Sequence, residues 1–225
     1  MNEFGTYTSQ DIYRILKEEI LTLKILPGEK ISENDICERF GVSRTPVRSA
    51  FQRLDTEGLI TVAPYKSTFA ALLDFEQIEQ MIYMRYAIES AVLKDFIEVV
   101  DPMTIEKIRY RIRQQEVLIS GEFTPDQFYE FDSKMHNIWF AFMHKEGLWD
   151  FIQRAQVDYT RFRMLDIVAV KNFKQIITEH YELFEAICKK DAAAAEGMVK
   201  RHLYGGVSRL GERIYTEFTD YFISK

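Results

Sequence analysis

The chain reads as a mostly α protein in two parts. A winged helix-turn-helix of three helices and a β-hairpin is predicted over residues 1–73, and an all-helical bundle of six or seven helices over residues 74–225. Three observations carry this. A short amphipathic stretch ends at Phe40-Gly41, and Ser43-Arg44-Thr45-Pro46-Val47-Arg48 opens another that stops at Gly58. Strand-like patterning is confined to the residues just after Gly58, and from Asp74 onward no strand-like alternation recurs.

The elements follow in order. Ile12, Ile15, Leu16, Ile20 and Leu23 repeat at helical spacing from Ser9 to the stop at Pro27-Gly28. Ser32, with Asp35 three residues on, resembles a capping box for a second helix whose apolar side is Ile36 and Phe40. Gly41 supplies the positive φ that ends that helix, and Ser43 caps the next. Pro46 sits in the first turn, where its missing N–H removes no helical bond. Val47, Ala50, Phe51 and Leu54 then share one buried face, while Thr45, Arg48, Ser49 and Gln52 share the other, with Arg44 at its N-terminal edge. Leu59-Ile60-Thr61-Val62, a turn over Ala63 to Ser67, and Thr68 to Leu72 read as strand, turn and strand, with Lys66 near the tip.

A helix presenting Ser43, Arg44, Thr45, Arg48, Ser49 and Gln52 suits a DNA major groove. Arginine bonds guanine in bidentate fashion, and first-turn amides hold phosphate. A hairpin after such a helix is a wing, from which Lys66 could reach a phosphate or the minor groove. The alternative for the arginines is a solvated helix face. A net charge of −6 weighs against nucleic-acid binding, but the acidity lies mostly beyond residue 73, and Ser43–Lys66 holds four basic against two acidic side chains.

The second half reads as helices near 75–98, 102–119, 125–145, 148–169, 173–189 and 192–221, broken at Asp101-Pro102, Ser120-Gly121, Gly147 and Asp191. With 225 residues, 47% of them hydrophobic, the chain can bury one or two cores without a metal or disulfide staple. Cys37 and Cys188 are far apart and form no CxxC pair, so reduced thiols are expected. No apolar run reaches about 18 residues and no basic-then-apolar leader opens the chain. A cytoplasmic protein with no membrane partner is therefore expected.

Metal-type side chains in this half are Asp132, His136, His180 and His202. Asp132 and His136, four apart, fall on one helical face about one turn from each other. An Asp and three His from three helices would suit a borderline divalent ion such as zinc, nickel or manganese. On spacing alone, such histidines serve equally as surface or hydrogen-bonded core groups. His144 lies eight residues beyond His136 and is read as surface.

Residues 11–72 resemble the winged helix of the GntR family of bacterial transcription regulators. The matching stretches are Leu26-Pro27-Gly28-Glu29, Ser32-Glu33, Phe40-Gly41-Val42-Ser43-Arg44-Thr45-Pro46-Val47-Arg48 and Leu54-Asp55-Thr56-Glu57-Gly58-Leu59-Ile60. Asn34 stands where many relatives carry arginine, and Tyr65-Lys66-Ser67-Thr68 where they often have wing glycines, departures that bear on operator preference. Phe131-Asp132-x-x-x-His136, Glu179-His180 before Ala186-Ile187, Asp191 and His202 likewise resemble the helical FCD ligand domain of the FadR-like branch. The loop His144-Lys145-Glu146-Gly147 departs from the asparagine common there. The resemblance implies that Arg44 and Arg48 contact DNA with help from Ser43 and Thr45. It also implies that Asp132, His136, His180 and His202 hold a metal on which an effector takes open positions.

Beside such a cation, a small organic acid is the expected effector, with Arg85, Arg161 and Arg163 as candidate partners for its carboxylate. Each arginine could instead form an intramolecular ion pair. Operator half-sites related by a two-fold axis call for a homodimer, with helix faces over 75–119 as the candidate contact. The resulting expectation is a DNA-binding regulator, in the commoner case a repressor, that a small carboxylate controls. A metal-dependent hydrolase using the Asp/His cluster and a DNA-binding structural protein without effector are the competing readings.

Overall fold

The computed structural model describes residues 7–62, 67–155 and 157–223. The predicted wing tip at Lys66 lies outside the described residues. The chain divides into two compact units, one running through Phe75 and rejoined by the segment from Ile214, the other spanning Glu76–Arg213.

In the first unit, helix α1 (Ser9–Leu21) begins at a full capping box: the Thr8 hydroxyl accepts from the Asp11 N–H, and the Asp11 carboxylate accepts from the Thr8 N–H. Helix α2 (Glu33–Phe40) is capped by Ser32, and Gly41 at φ 64° stops it in the left-handed region. Helix α3 (Arg44–Thr56) buries Val47, Ala50, Phe51 and Leu54 against Ile12, Leu16 and Ile20 of α1, the face predicted from periodicity. Each fully buried Leu or Ile there contributes about 1.5–3 kcal/mol.

The wing is larger than the expected hairpin. Strands β2 (Ile60–Val62) and β3 (Thr68–Ala70) pair antiparallel, and a further strand β1 (Lys30–Ile31) adds to the outer edge of β3 with Lys30 opposite Phe69. Two residues are too short a run to show period-2 alternation. The domain boundary also needs correction at its far end. The segment after Ile214 was expected in the second domain, yet Leu73 N–H donates to the Tyr221 carbonyl at 2.8 Å and Ile223 N–H to the Leu73 carbonyl at 3.0 Å, an isolated parallel bridge within the first unit.

Among its described residues the second unit is built from long helical stretches: α4 (Phe75–Val99), α5 (Pro102–Ile119), α6 (Pro125–Phe142), α7 (Glu146–Ala155), α8 (Val157–Val170), α9 (Phe173–Cys188) and α10 (Ala192–Leu210). Asp101 and Asp191 cap α5 and α10 as predicted, accepting from the N–H of Thr104 and Ala194. One boundary differs from expectation. The last long helix ends at Leu210, where Gly211 turns to φ 49° before a short α11 (Arg213–Thr216). Helices α5, α6, α8, α9 and α10 pack on one another around Ile112, Met135, Phe162, Ile176 and Leu203. No described helix is long and apolar enough to cross a membrane.

Candidate metal centre and nucleic-acid interface

Helix α6 presents Asp132 and His136 one turn apart, α9 presents His180 and α10 presents His202. All four are buried, and one donor atom from each lies within 4.8 Å of the others. This is the set predicted from sequence, brought together from three helices.

Hydrogen bonds around the cluster fix how the imidazoles face. His136 Nδ1 lies 2.8 Å from Glu89 Oε2, His180 Nδ1 lies 2.7 Å from Gln115 Oε1, and His202 Nδ1 lies 2.9 Å from Glu179 Oε2. Each partner is an acceptor, so each ring carries its proton on Nδ1 and turns a bare Nε2 inward. His180 Nε2 then stands 3.2 Å from Asp132 Oδ1 with no proton to share. Among the described residues, the Nε2 atoms of His136 and His180 and both oxygens of Asp132 lack a directed hydrogen bond. Arg163 Nη2 is 2.8 Å from Asp132 Oδ2, an ion pair rather than a well-aimed hydrogen bond. Buried lone pairs that face each other unsatisfied are costly, and a divalent cation is the species that satisfies them all.

Electrostatics agree. Burial pushes the Asp132 carboxyl up, but Arg163, with help from His180 and His136, holds it well below the usual carboxylate range. Burial lowers His180 and His202 from 6.5, against the opposing pull of Asp132 and Glu179. Glu89, despite burial, is held down at about 2 by Arg85 and His136. The site is therefore assembled with Asp132 as a carboxylate and His180 and His202 as neutral imidazoles, the ligand forms a metal requires.

Beside His202 lies a cavity of about 10 Å³ lined by Tyr159, Phe162, Arg163, Asp166, Gly206 and Arg209, among others. That is room for about one water. Gly206 permits the close approach of α8 and α10, since a Cβ there would stand 3.2 Å from Phe162 Cε1.

In the first unit, Ser43, Arg44, Thr45, Arg48, Ser49 and Gln52 are all exposed on α3. Ser43 is the N-cap in extended backbone, but its hydroxyl makes no cap bond, which leaves it for another partner. Arg48 Nε donates to Glu33, 3.0 Å from Oε2, and Arg44 Nη2 donates to Asn34 Oδ1 at 3.1 Å. These side chains line a groove with Lys30, Ser32, Ser67 and Thr68.

Comparison with known proteins decides the family. Residues 8–70 match the bacterial regulatory proteins of the gntR family, and residues 80–205 match the FCD domain. The chain belongs to the GntR family, with an FCD domain. Such a protein is a DNA-binding transcriptional regulator and not an enzyme, which removes the hydrolase reading. The regulator is 29% identical over 214 residues to the HTH-type transcriptional repressor RspR of Escherichia coli K12, covering 95% of this chain and 93% of that one. It is 23% identical to the galactonate operon transcriptional repressor of the same organism, over 88% of this chain and 94% of the relative. Among solved structures, E. coli McbR/YncC superposes with a TM-score of 0.69 at 16% identity over 95% of this chain and 100% of the other. A GntR regulator from Rhodococcus sp. RHA1 gives a TM-score of 0.69 at 21% identity, over 90% and 97% of the two chains. These two likenesses show the shared fold.

The three arginines read from sequence as effector partners occupy different places in this GntR regulator. Arg163 stands against the cluster through Asp132. Arg85 is buried and gives its guanidinium to Glu89, 2.8 Å from Nε, so it reaches the cluster through the residue that holds His136. Arg161 pairs with Asp158 at 3.5 Å. Sequence reasoning passed over Glu89, Gln115 and Arg209 and gave Glu179 no task of its own. Arg209 bonds Glu179 at 3.2 Å and Asp166 at 2.7 Å, tying the partner of His202 to α8. The signal available was Arg85 and Glu89 at i, i+4 on the helix face that otherwise carries Ile78, Ile82, Val92 and Phe96; for Gln115 there was none.

Proposed function

We propose that this GntR regulator is a metal-dependent repressor released from operator DNA by a small organic acid. The observation that carries the reading is the inward-facing set of bare Nε2 atoms and carboxylate oxygens, each imidazole fixed from behind by its own acceptor. Asp132, His136, His180 and His202 hold the ion; zinc, nickel and manganese suit this mix of nitrogen and oxygen donors. A bound divalent ion supplies open coordination positions and positive charge for a carboxylate. Arg163 adds a second cationic contact beside it, balanced in the effector's absence by Asp132.

Four protein donors leave two positions on an ion that takes six ligands. The cavity beside His202 is far smaller than an organic acid, so binding requires Arg163, Arg209 or α8 to shift. Such a shift controls DNA binding when effector prefers the conformer that holds two reading helices at the wrong spacing. Ser43, Arg44, Thr45, Arg48, Ser49, Gln52 and Lys66 are the DNA-contacting set. Two copies are required for paired half-sites. Met103, Tyr110 and Val117 of α5, at spacings of seven and 60–72% exposed, form the apolar stripe we assign to the dimer contact. The names of the repressors from E. coli support repression as the outcome, and the protein acts in the cytoplasm, where operator DNA is.

The test is a promoter-fragment binding assay with zinc-loaded protein across a panel of sugar acids and other small carboxylates. One member is expected to weaken binding at least tenfold, and to lose that effect in Asp132→Ala protein. A panel without any effect on binding or on heat of titration removes the effector from this reading.

A further inference from the structure

The recognition helix meets a carboxylate before it meets DNA. Glu33, the first residue of α2, faces α3, and both of its oxygens lie on Arg48 Nε, at 3.2 and 3.0 Å. Arg44 Nε lies 3.6 Å from Glu33 Oε1, while its Nη2 donates to Asn34 Oδ1 at 3.1 Å. Arg48 and Arg44 remain more than half exposed, with side-chain exposures of 65% and 62%. Two neighbouring residues of α2 thus hold the inner edges of both guanidinium groups without covering them.

This arrangement has a chemical consequence. Engaging Nε of Arg48 from behind leaves its two terminal Nη groups as a preset fork, the form that matches the paired acceptors of guanine. The carboxylate also brings a negative charge into a groove that phosphates must approach, and it occupies the guanidinium edges a phosphate would otherwise take. Generic attraction to the backbone is therefore reduced, and base-edge contacts are what the held arginines can still make.

We propose that Glu33 is a specificity-determining residue: it withholds Arg44 and Arg48 from phosphates and presents them to base edges, with Asn34 fixing the second. The proposal rests on α3 being the groove-entering helix. Its occupant is duplex DNA, read at guanines, and its effect is on discrimination more than on affinity for the correct site.

The experiment compares full-length, zinc-loaded wild type with Glu33→Gln and Asp35→Asn. Asp35 is a first-turn carboxylate of the same helix whose own N–H is bonded by Ser32. Its variant removes equal charge from the same helix end and serves as control. A wild-type site is first selected from random duplexes, and each protein is then titrated on that site and on a scrambled duplex across a salt series. Glu33→Gln is expected to bind scrambled DNA about tenfold more tightly, with a salt slope steeper by about one as an arginine moves to phosphate. Its ratio of selected to scrambled affinity should fall about tenfold or more, and selection with the variant should yield a site with fewer fixed guanines. Asp35→Asn should leave the ratio within about twofold of wild type. Equal ratios for wild type and Glu33→Gln, or an equal fall in both variants, overturn the proposal. Failure of wild type itself to select any site would instead remove the groove-entering role of α3. Thermal melting of both variants in parallel separates loss of α2 from loss of discrimination, since an unfolded α2 would weaken both duplexes together.

Discussion

Arg48 stands on the exposed face of α3 with its Nε fixed by Glu33 and its side chain 65% exposed. Replacing it with alanine removes the fork we propose reads a base, without touching the buried face of Val47, Ala50, Phe51 and Leu54. Arg48→Ala should therefore weaken binding to a selected operator by about 1–3 kcal/mol, read by titration at fixed salt, while the melting temperature moves little. Lysine at 48 should not restore the loss, because a point charge cannot bond two acceptors in one plane. An unchanged footprint with the alanine variant would reject the assignment. At the same scale, the imidazoles of the second unit gain direction from Glu89, Gln115 and Glu179, residues whose role depends wholly on where the helices place them.

At the scale of the element, the turn between α2 and α3 is set by Gly41, which adopts φ 64° in open space, where an added Cβ would meet nothing within 4 Å. Gly41→Ala consequently introduces no clash, only left-handed strain of about 1 kcal/mol. Thermal or denaturant unfolding of the first unit should record that loss, and zinc stoichiometry should stay unchanged; a loss above about 3 kcal/mol would mean that the turn does more than end a helix. Caps and periodicity made α1, α2, α3, α5 and α10 legible in sequence at their start. What periodicity missed were elements defined by contacts: β1, two residues long, exists because Lys30 and Ile31 meet the edge of β3.

For the whole molecule, the buried cluster is where metal and pH are expected to act on stability. Ligand that binds only the folded state at a hundredfold over its dissociation constant adds about 2.7 kcal/mol. Chelation should thus lower the melting temperature by roughly 5–10 °C for a chain of this size, and His180→Ala should abolish the difference between chelated and zinc-loaded samples. In the metal-free protein, burial lowers the folded-state values of His180 and His202 below the ordinary 6.5. The unfolded chain therefore takes up protons first as the solution is acidified. The stability tied to these groups is present above about pH 6.5 and is lost as pH falls below it. Denaturant midpoints of chelated protein measured from pH 8 to pH 5 should stay level and then fall below that point; a midpoint that rises on acidification would contradict the neutral state of the imidazoles.

By itself the sequence determined the exposed polar face of α3, the helical character of most of the stretch from Phe75 to Leu210, and the residue types able to hold a metal. Those features are local, written in spacing, caps and side-chain chemistry. Tertiary structure decided the rest: that Asp132, His136, His180 and His202 face one another, that Glu89, Gln115 and Glu179 turn their rings, that Glu33 holds Arg44 and Arg48, and that the segment after Ile214 returns to Leu73. Each of these joins residues distant in the chain, and pairing across such distances depends on how helices pack, which no local periodicity encodes.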